Sequence, residues 1–299
     1  MPLVVVGVGG NALSPPGGSQ SIEDERKAVT AVARELASLA RTGQRLLIVH
    51  GNGPQAGRLL EAEQPETALD AIVAQTQGEL GYLIGEAVDA ELGADSTVAL
   101  ITRVLVDSDD PALAEPTKPI GPVLAEAPVD GPAVRQPDGS GWRRVVASPR
   151  PEGVVELEAI RVLLERWHVI AGGGGGVALS EESETGGRSA VPAIVDKDYV
   201  ASMLARALGA EELVFVTDVP TVFESFGAEP EGAVRRMSVA EARALLASGA
   251  CPAGSMGPKV ESCIEFVEAT GGRAVITTVG EVEAALRGEA GTTVRSAPG

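Results

Sequence analysis

Four lysines are spread through the 299 residues, and three of them, Lys118, Lys197 and Lys259, stand in settings that could do chemistry. Lys197 is flanked by carboxylates in Asp196-Lys197-Asp198. A lysine held by aspartate keeps its ammonium where it can neutralise charge that develops in a transition state. The same three residues also read as a capped, salt-bridged helix start. Lys259 closes the run Gly254-Ser255-Met256-Gly257-Pro258-Lys259, in which Pro258 suits a first helical turn. A cation there opposes the helix dipole by up to ~1 kcal/mol, a cost that an anion held beside it would offset.

Glycine loops accompany the lysines. Gly9-Gly10-Asn11 follows an apolar run, and His50-Gly51-Asn52-Gly53-Pro54-Gln55 follows another. Glycines at the carboxyl end of a parallel strand let backbone N–H groups approach an anion, and open α/β sheets bind their ligands at that edge. Gly9-Gly10-Asn11 alone reads equally as a tight turn, since neither GxxxxGK(S/T) nor a full GxGxxG is present. His50 alone reads as a structural residue; the pairing of two loops is what points to an oxyanion. The five glycines 172–176 cost much backbone entropy on folding, so close approach to nucleotide phosphates, at Gly173 and Gly174, explains them better than a linker does. Thr217-Asp218-Val219 ends a further apolar run and is followed by Phe223; Asp218 is either a turn residue or part of a metal–nucleotide site. Phosphoryl transfer asks for positioning and positive electrostatics more than covalent help, and these parts supply both.

The elements that must position these residues follow from periodicity. Leu3–Val8, Arg45–His50, Thr97–Val106, His168–Ala171, Glu212–Thr217 and Arg273–Thr278 read as strands. Ser21 caps a helix whose apolar residues Val29, Val32 and Leu36 recur at helical spacing. Further helices are expected over most of Pro54–Leu92, over Glu156–Arg166, over Asp196–Leu208 and around Val260–Val267. This β-α-β-α rhythm predicts an α/β fold with a mainly parallel sheet covered by helices on both faces. Residues 107–151, rich in Pro and Gly, break the rhythm and are expected to form a small inserted lid; lobes of 1–155 and 156–299 are expected on either side.

A net charge of −18 argues against nucleic acid and anionic membranes as partners. Cys251 and Cys263 are the only cysteines and have no CxxC spacing, which argues against a structural zinc site or a disulfide framework. The amino-terminal run reads as a strand rather than a signal peptide, and no apolar stretch is long enough for a membrane helix. A soluble, cytoplasmic protein is expected.

In the order in which they occur, VVVGVGGNAL, HGNGPQAG, TQGELGYLIGEAV, ITRVLVDSDDPALAEPTKPIGP, WRRVVASPRP, VIAGGGGGV, AIVDKDYVASMLA, LVFVTDV and GSMGPKVESCIEFVEATGGRAVI resemble the carbamate kinase family of the amino acid kinase superfamily. Phe223 stands where that family has Tyr, and Ala56 where it has Val. The resemblance implies a three-layer α/β/α sandwich with an eight-stranded, mainly parallel sheet, a protruding subdomain and a homodimer. It implies ATP plus carbamate giving ADP plus carbamoyl phosphate, with ATP/ADP and Mg²⁺ as cofactors and no catalytic metal ligand set. By the same resemblance Lys197 and Lys259 are catalytic and Asp198 orients them. Gly9, Gly10, Asn11, Gly51, Asn52, Gly53 and Lys118 bind the acid or phosphoryl end. Gly173, Gly174, Asp196, Asp218, Phe223, Met256, Gly257 and Pro258 lie on the nucleotide side. The alternatives are a kinase of another small carboxylic acid or amino acid on the same fold, and a non-catalytic nucleotide-sensing homologue.

Overall fold

A computed structural model describes residues 1–14, 21–62, 69–129, 131–136, 139–182, 186–223, 232–251 and 256–296. The strands are β1 (Leu3–Val8), β2 (Arg45–His50), β3 (Thr97–Ala99), β4 (Arg103–Val106), β5 (Lys118–Leu124), β6 (Ala133–Arg135), β7 (Trp142–Val146) and β8 (Pro151–Val154). They continue with β9 (His168–Ile170), β10 (Val177–Glu181), β11 (Arg188–Ile194), β12 (Glu212–Thr217), β13 (Val222–Phe223), β14 (Ala233–Val234), β15 (Arg236–Ser238), β16 (Arg273–Thr278) and β17 (Thr292–Arg295). The helices are α1 (Gly10–Leu13), α2 (Ile22–Arg41), α3 (Gly53–Ala62), α4 (Leu69–Leu92), α5 (Leu157–Leu163), α6 (Lys197–Leu208), α7 (Val239–Ala247), α8 (Met256–Thr270) and α9 (Val282–Leu286).

Eight strands form the main sheet in the order β15-β17-β16-β12-β1-β2-β9-β3. Every step is parallel except β16–β17. Alternation along the central strands builds the three layers. Val4, Val6 and Val8 face one side with Leu46 and Ile48, covered by Val29, Val32 and Leu36 of α2 and by Leu80 and Ile84 of α4. Val5, Leu47 and Val49 face the other, covered by Val200 and Leu204 of α6 and by Val260, Cys263 and Val267 of α8. Each such side chain contributes about 1.5–3 kcal/mol when fully buried, and a one-residue slip would turn both faces inside out. The sheet and its helices are those of the sandwich expected above.

A smaller sheet, β11-β10-β4-β8, lies beside the main one, and β5-β7-β6 form a separate three-stranded antiparallel sheet within residues 107–151. Ile120 of β5 is buried in a cluster with Ala56 of α3 and Ile72 and Val73 of α4, which seats this small sheet on the main body.

Local expectations needed correction at three places. Thr97–Val106 is not one strand: β3 belongs to the main sheet and β4 to the smaller one. The buried Gln77 of α4 satisfies the backbone at the switch, its Oε1 accepting from Thr102 N (2.8 Å) and its Nε2 donating to Thr102 O (3.1 Å). The helix expected over Glu156–Arg166 is regular only over Leu157–Leu163, because Glu165 and Arg166 donate to carbonyls three residues back and tighten the end. Residues 177–194, given no element above, form the antiparallel pair β10–β11.

Candidate active site

Four neighbouring strands of the main sheet, β12, β1, β2 and β9, deliver their carboxyl ends to one place. Gly9–Asn11 follows β1, Gly51–Gly53 follows β2, the five glycines follow β9, and Asp218 follows β12. The first two loops touch through their backbones: a Cβ on Gly51 would lie 2.8 Å from Gly10 N. Asn11 Nδ2 donates to Asp218 Oδ2 at 2.8 Å and ties the first loop to the end of β12. Together they floor a cleft of about 220 Å³.

Helix α6 begins at Lys197 because Asp196 caps it, its Oδ1 accepting from Asp198 N at 3.0 Å. That start carries Lys197 and Asp198 into the cleft, and α8 carries Lys259 to meet them. Lys197 Nζ lies 2.7 Å from Asp198 Oδ1 and Lys259 Nζ lies 3.0 Å from Asp198 Oδ2. One carboxylate therefore holds two ammonium groups, and all three side chains are buried. From above, Lys118 of β5 donates to Asp196 Oδ2 (3.0 Å) and to Val195 O (3.3 Å). Arg143 of β7 donates through Nε to Gly121 O at 3.0 Å and lines the same cleft.

The charges are set by these neighbours. Burial works to raise Asp196, but Lys118, Lys197 and Lys259 hold it well below the usual carboxylate range. Burial pulls Lys197 below its ordinary value, with Lys259 adding to the effect and Asp198 opposing it. Burial also works against Lys259, yet Asp198 and Asp196 carry it above its ordinary value. Asp218 is desolvated, but hydrogen bonds from Asn11 and Thr217 keep it low and ionised. Burial alone lowers Arg143. Four cations (Lys118, Arg143, Lys197, Lys259) thus line the cleft with three carboxylates (Asp196, Asp198, Asp218), a local excess of positive charge in a protein of net charge −18.

Of the residues singled out in the sequence, Gly9, Gly10, Asn11, Gly51, Asn52, Gly53, Lys118, Gly174, Asp196, Lys197, Asp198, Asp218 and Lys259 line this cleft. Gly173 does not. The close approach made by the glycine run is to side chains of the second loop: a Cβ on Gly173 would lie 2.2 Å from His50 Nε2, and one on Gly174 2.3 Å from Asn52 Nδ2. His50 is fully enclosed there, its Nδ1 3.1 Å from Gly51 O, and desolvation lowers its pKa to about 4. Gly257 and Pro258 are buried in the turn that presents Lys259, Met256 packs on the core, and Phe223 pairs with Ala233; none of the four borders the cleft. Residues 254 and 255 of the same run lie outside the described residues.

Arg143 was missed. Its signal was the pair Arg143-Arg144 inside a strand, where adjacent side chains point to opposite faces, so that one of the two must turn toward the main body.

A sequence profile of the amino acid kinase family matches residues 2–278. Carbamate kinase of Halobacterium salinarum is 42% identical over 98% of this chain and 98% of its own length. Carbamate kinase of Pyrococcus furiosus is 40% identical over 97% and 98%. Among solved structures, carbamate kinase from Giardia lamblia bound to AMP-PNP superposes with a TM-score of 0.87 at 32% identity, covering 98% of both chains.

Proposed function

The chain belongs to the amino acid kinase family and, within it, to the carbamate kinases, and on that premise we propose that it transfers a phosphoryl group reversibly between ATP and carbamate. An oxygen of carbamate attacks the γ-phosphorus while the bond from that phosphorus to the bridging oxygen of ADP breaks, and the products are carbamoyl phosphate and ADP. The attacking group is already an anion, so no proton has to be removed and no general base is required. What supports the reading is one arrangement above all: two ammonium groups on a single buried carboxylate, facing paired glycine loops.

In this reading Lys197 and Lys259 oppose the negative charge of the migrating group's oxygens, and Asp198 fixes where they stand. Backbone N–H groups of Gly10, Asn11, Asn52 and Gly53 receive the acid and the phosphoryl oxygens, those of Gly9 and Gly51 holding the loops to Val216 O and Val8 O (2.8 Å each), while Lys118 and Arg143 hold the acid from above. Asp196 anchors Lys118. Asp218 and Gly174, which line the cleft, lie on the nucleotide side, with Gly173, Phe223, Met256, Gly257 and Pro258 shaping that side from behind. Among the described residues no group of three or more His, Cys, Asp or Glu is placed to hold a metal ion by itself. A Mg²⁺ ion, which typically takes one or two carboxylates together with substrate phosphates, fits such a donor set, with Asp218 as the protein ligand. It would neutralise charge on the nucleotide's phosphates. Residues 107–151 serve as a lid, with the acid side in 1–155 and the nucleotide side in 156–299. The enzyme works in the cytoplasm as a homodimer, whose contact face includes the exposed Tyr82 of α4 and the neighbouring Ile101.

The test is formation of ATP from ADP and carbamoyl phosphate in a coupled assay, with substantial turnover expected. No turnover, with phosphorylation of acetylglutamate, aspartate or UMP by ATP instead, would replace carbamate by another acceptor. No turnover with any of them would leave a nucleotide-sensing protein.

A further inference from the structure

Glu25 is a glutamate in the first turn of α2 with 1% of its surface exposed. It does not border the cleft. Its Oε1 collects three donors: Arg58 Nη1 at 2.7 Å, Gln55 Nε2 at 3.2 Å and Ser14 Oγ at 3.2 Å. Gln55 Nε2 also donates to Ser14 Oγ at 2.9 Å, and Arg58 reaches on to Glu79 at 3.3 Å. These donors come from two places. Ser14 ends the turn that begins in the first glycine loop, its N–H donating to Gly10 O. Gln55 and Arg58 lie in α3, which grows directly out of the second loop, and Gln55 is 0% exposed. A single carboxylate therefore binds the far ends of both loops that floor the acid half of the cleft.

Stability is a poor explanation for this knot. A buried ion pair often contributes less than apolar packing of the same volume. Here two buried acceptors, Glu25 Oε2 and Gln55 Oε1, also have no hydrogen-bond partner among the described residues, a desolvation cost that nothing offsets. What the knot does supply is a tie between Ser14 and Gln55 at the far ends of the loops, whose near ends the β1–β2 ladder and the Gly51 N–H to Val8 O bond (2.8 Å) already join.

We propose that Glu25 is a positioning residue for phosphoryl transfer, setting the separation of the two glycine loops through Ser14 and Gln55. The proposal rests on the carbamate kinase reading, because it assigns those loops to the acid and the phosphoryl group. Glu25→Gln keeps the shape, removes the charge and leaves Arg58 with Glu79. With ADP and carbamoyl phosphate as substrates, kcat/KM for carbamoyl phosphate should fall about 10–100-fold, since small misplacements in an active site cost up to ~10²-fold. KM for ADP should be unchanged. Glu212→Gln, which breaks the pair with Arg273 at the start of β12, is the control: it should lower Tm and leave both substrates as they were.

An E25Q enzyme with wild-type kcat/KM for carbamoyl phosphate, or with equal losses for both substrates, would overturn the proposal. Should E25Q fail to fold, Ser14→Ala carries the test, since it unties only the first loop; unaltered kcat/KM there would count against it equally. Calorimetric binding of inorganic phosphate separates this proposal from its premise. If the wild type makes no ATP yet E25Q or S14A weakens phosphate binding, the functional reading fails and the tie stands. If phosphate binding is also unmoved, both fail.

Discussion

At the scale of single residues, the site turns on Asp198 and the two lysines it holds. Replacing either Lys197 or Lys259 by Ala leaves Asp198 with one cation still bound, so the fold should persist. Turnover should drop about 10²–10³-fold, the usual loss when one electrostatic stabiliser is removed. Steady-state assays on soluble K197A and K259A check this; near-wild-type kcat in either would remove that lysine from its role. His50 makes a second prediction. Its native pKa of about 4 lies below the ordinary 6.5. Below pH 6.5 the unfolded chain therefore takes up a proton that the native imidazole refuses. Stability should fall by up to about 3 kcal/mol as pH drops from about 6.5 to about 4, and this contribution should level off below that. Urea midpoints of the wild type and of His50→Gln across that window measure it, and parallel curves would assign the acid sensitivity to other groups. The sequence shows Lys197 and Lys259 near helix starts, because Asp and Pro mark such starts locally. That the two share Asp198 was legible only through the family resemblance, and that Arg143 joins them was not legible at all, because both depend on how α6, α8 and β7 are brought together, which no local spacing encodes.

At the scale of elements, the decisive contact is between α3 and β5. Gly57 and Gly121 meet backbone to backbone: a Cβ on Gly57 would lie 2.0 Å from Gly121 Cα. Gly121 has φ +67°, a left-handed conformation that glycine adopts freely, and its carbonyl is the acceptor that holds Arg143. Gly57→Ala must push the small sheet away from α3, taking Lys118 and Arg143 with it. KM for carbamoyl phosphate should rise about tenfold or more while KM for ADP stays near the wild-type value, because one misplaced positioning group costs on that order. Equal effects on both substrates would show that α3 and β5 do not act on the acid alone. The buried strands β1, β2, β12 and β16 were legible because each is a short β-branched run ending at a turn. The division of Thr97–Val106 was not, since it depends on Gln77, a residue of another element that satisfies the backbone where the chain changes sheets. The pair β10–β11 was obscured by mixed polar and apolar residues on a half-exposed hairpin.

At the scale of the whole molecule, the acidic surface and the cationic cleft are complementary facts: most of the acidic groups stay in solvent, while three of the four lysines line one cleft. Tyr82 and Ile101 are exposed large apolar side chains on neighbouring segments, and among the described residues no helix is long and apolar enough to cross a membrane. If the proposed homodimer uses this face, Tyr82→Arg should turn a dimeric wild type into a monomer in sedimentation experiments with little change in Tm of the single chain; a dimer that survives would place the contact elsewhere, and a monomeric wild type would remove the homodimer from the proposal. The three-layer architecture was legible from the alternation of strand and helix. The position of β9 between β2 and β3 was not, because strand order is a long-range property. The same strand order has a consequence for synthesis. Val4 pairs with Leu46 on one side and with Glu212 on the other. On the ribosome, β1 waits from the completion of β2 until β12 is made for its second neighbour, with a row of backbone donors and acceptors open to any other nascent chain. One edge of β1 thus stays open from its own synthesis until β12 is made, and a cell making this protein quickly has reason to shield it until Glu212 arrives.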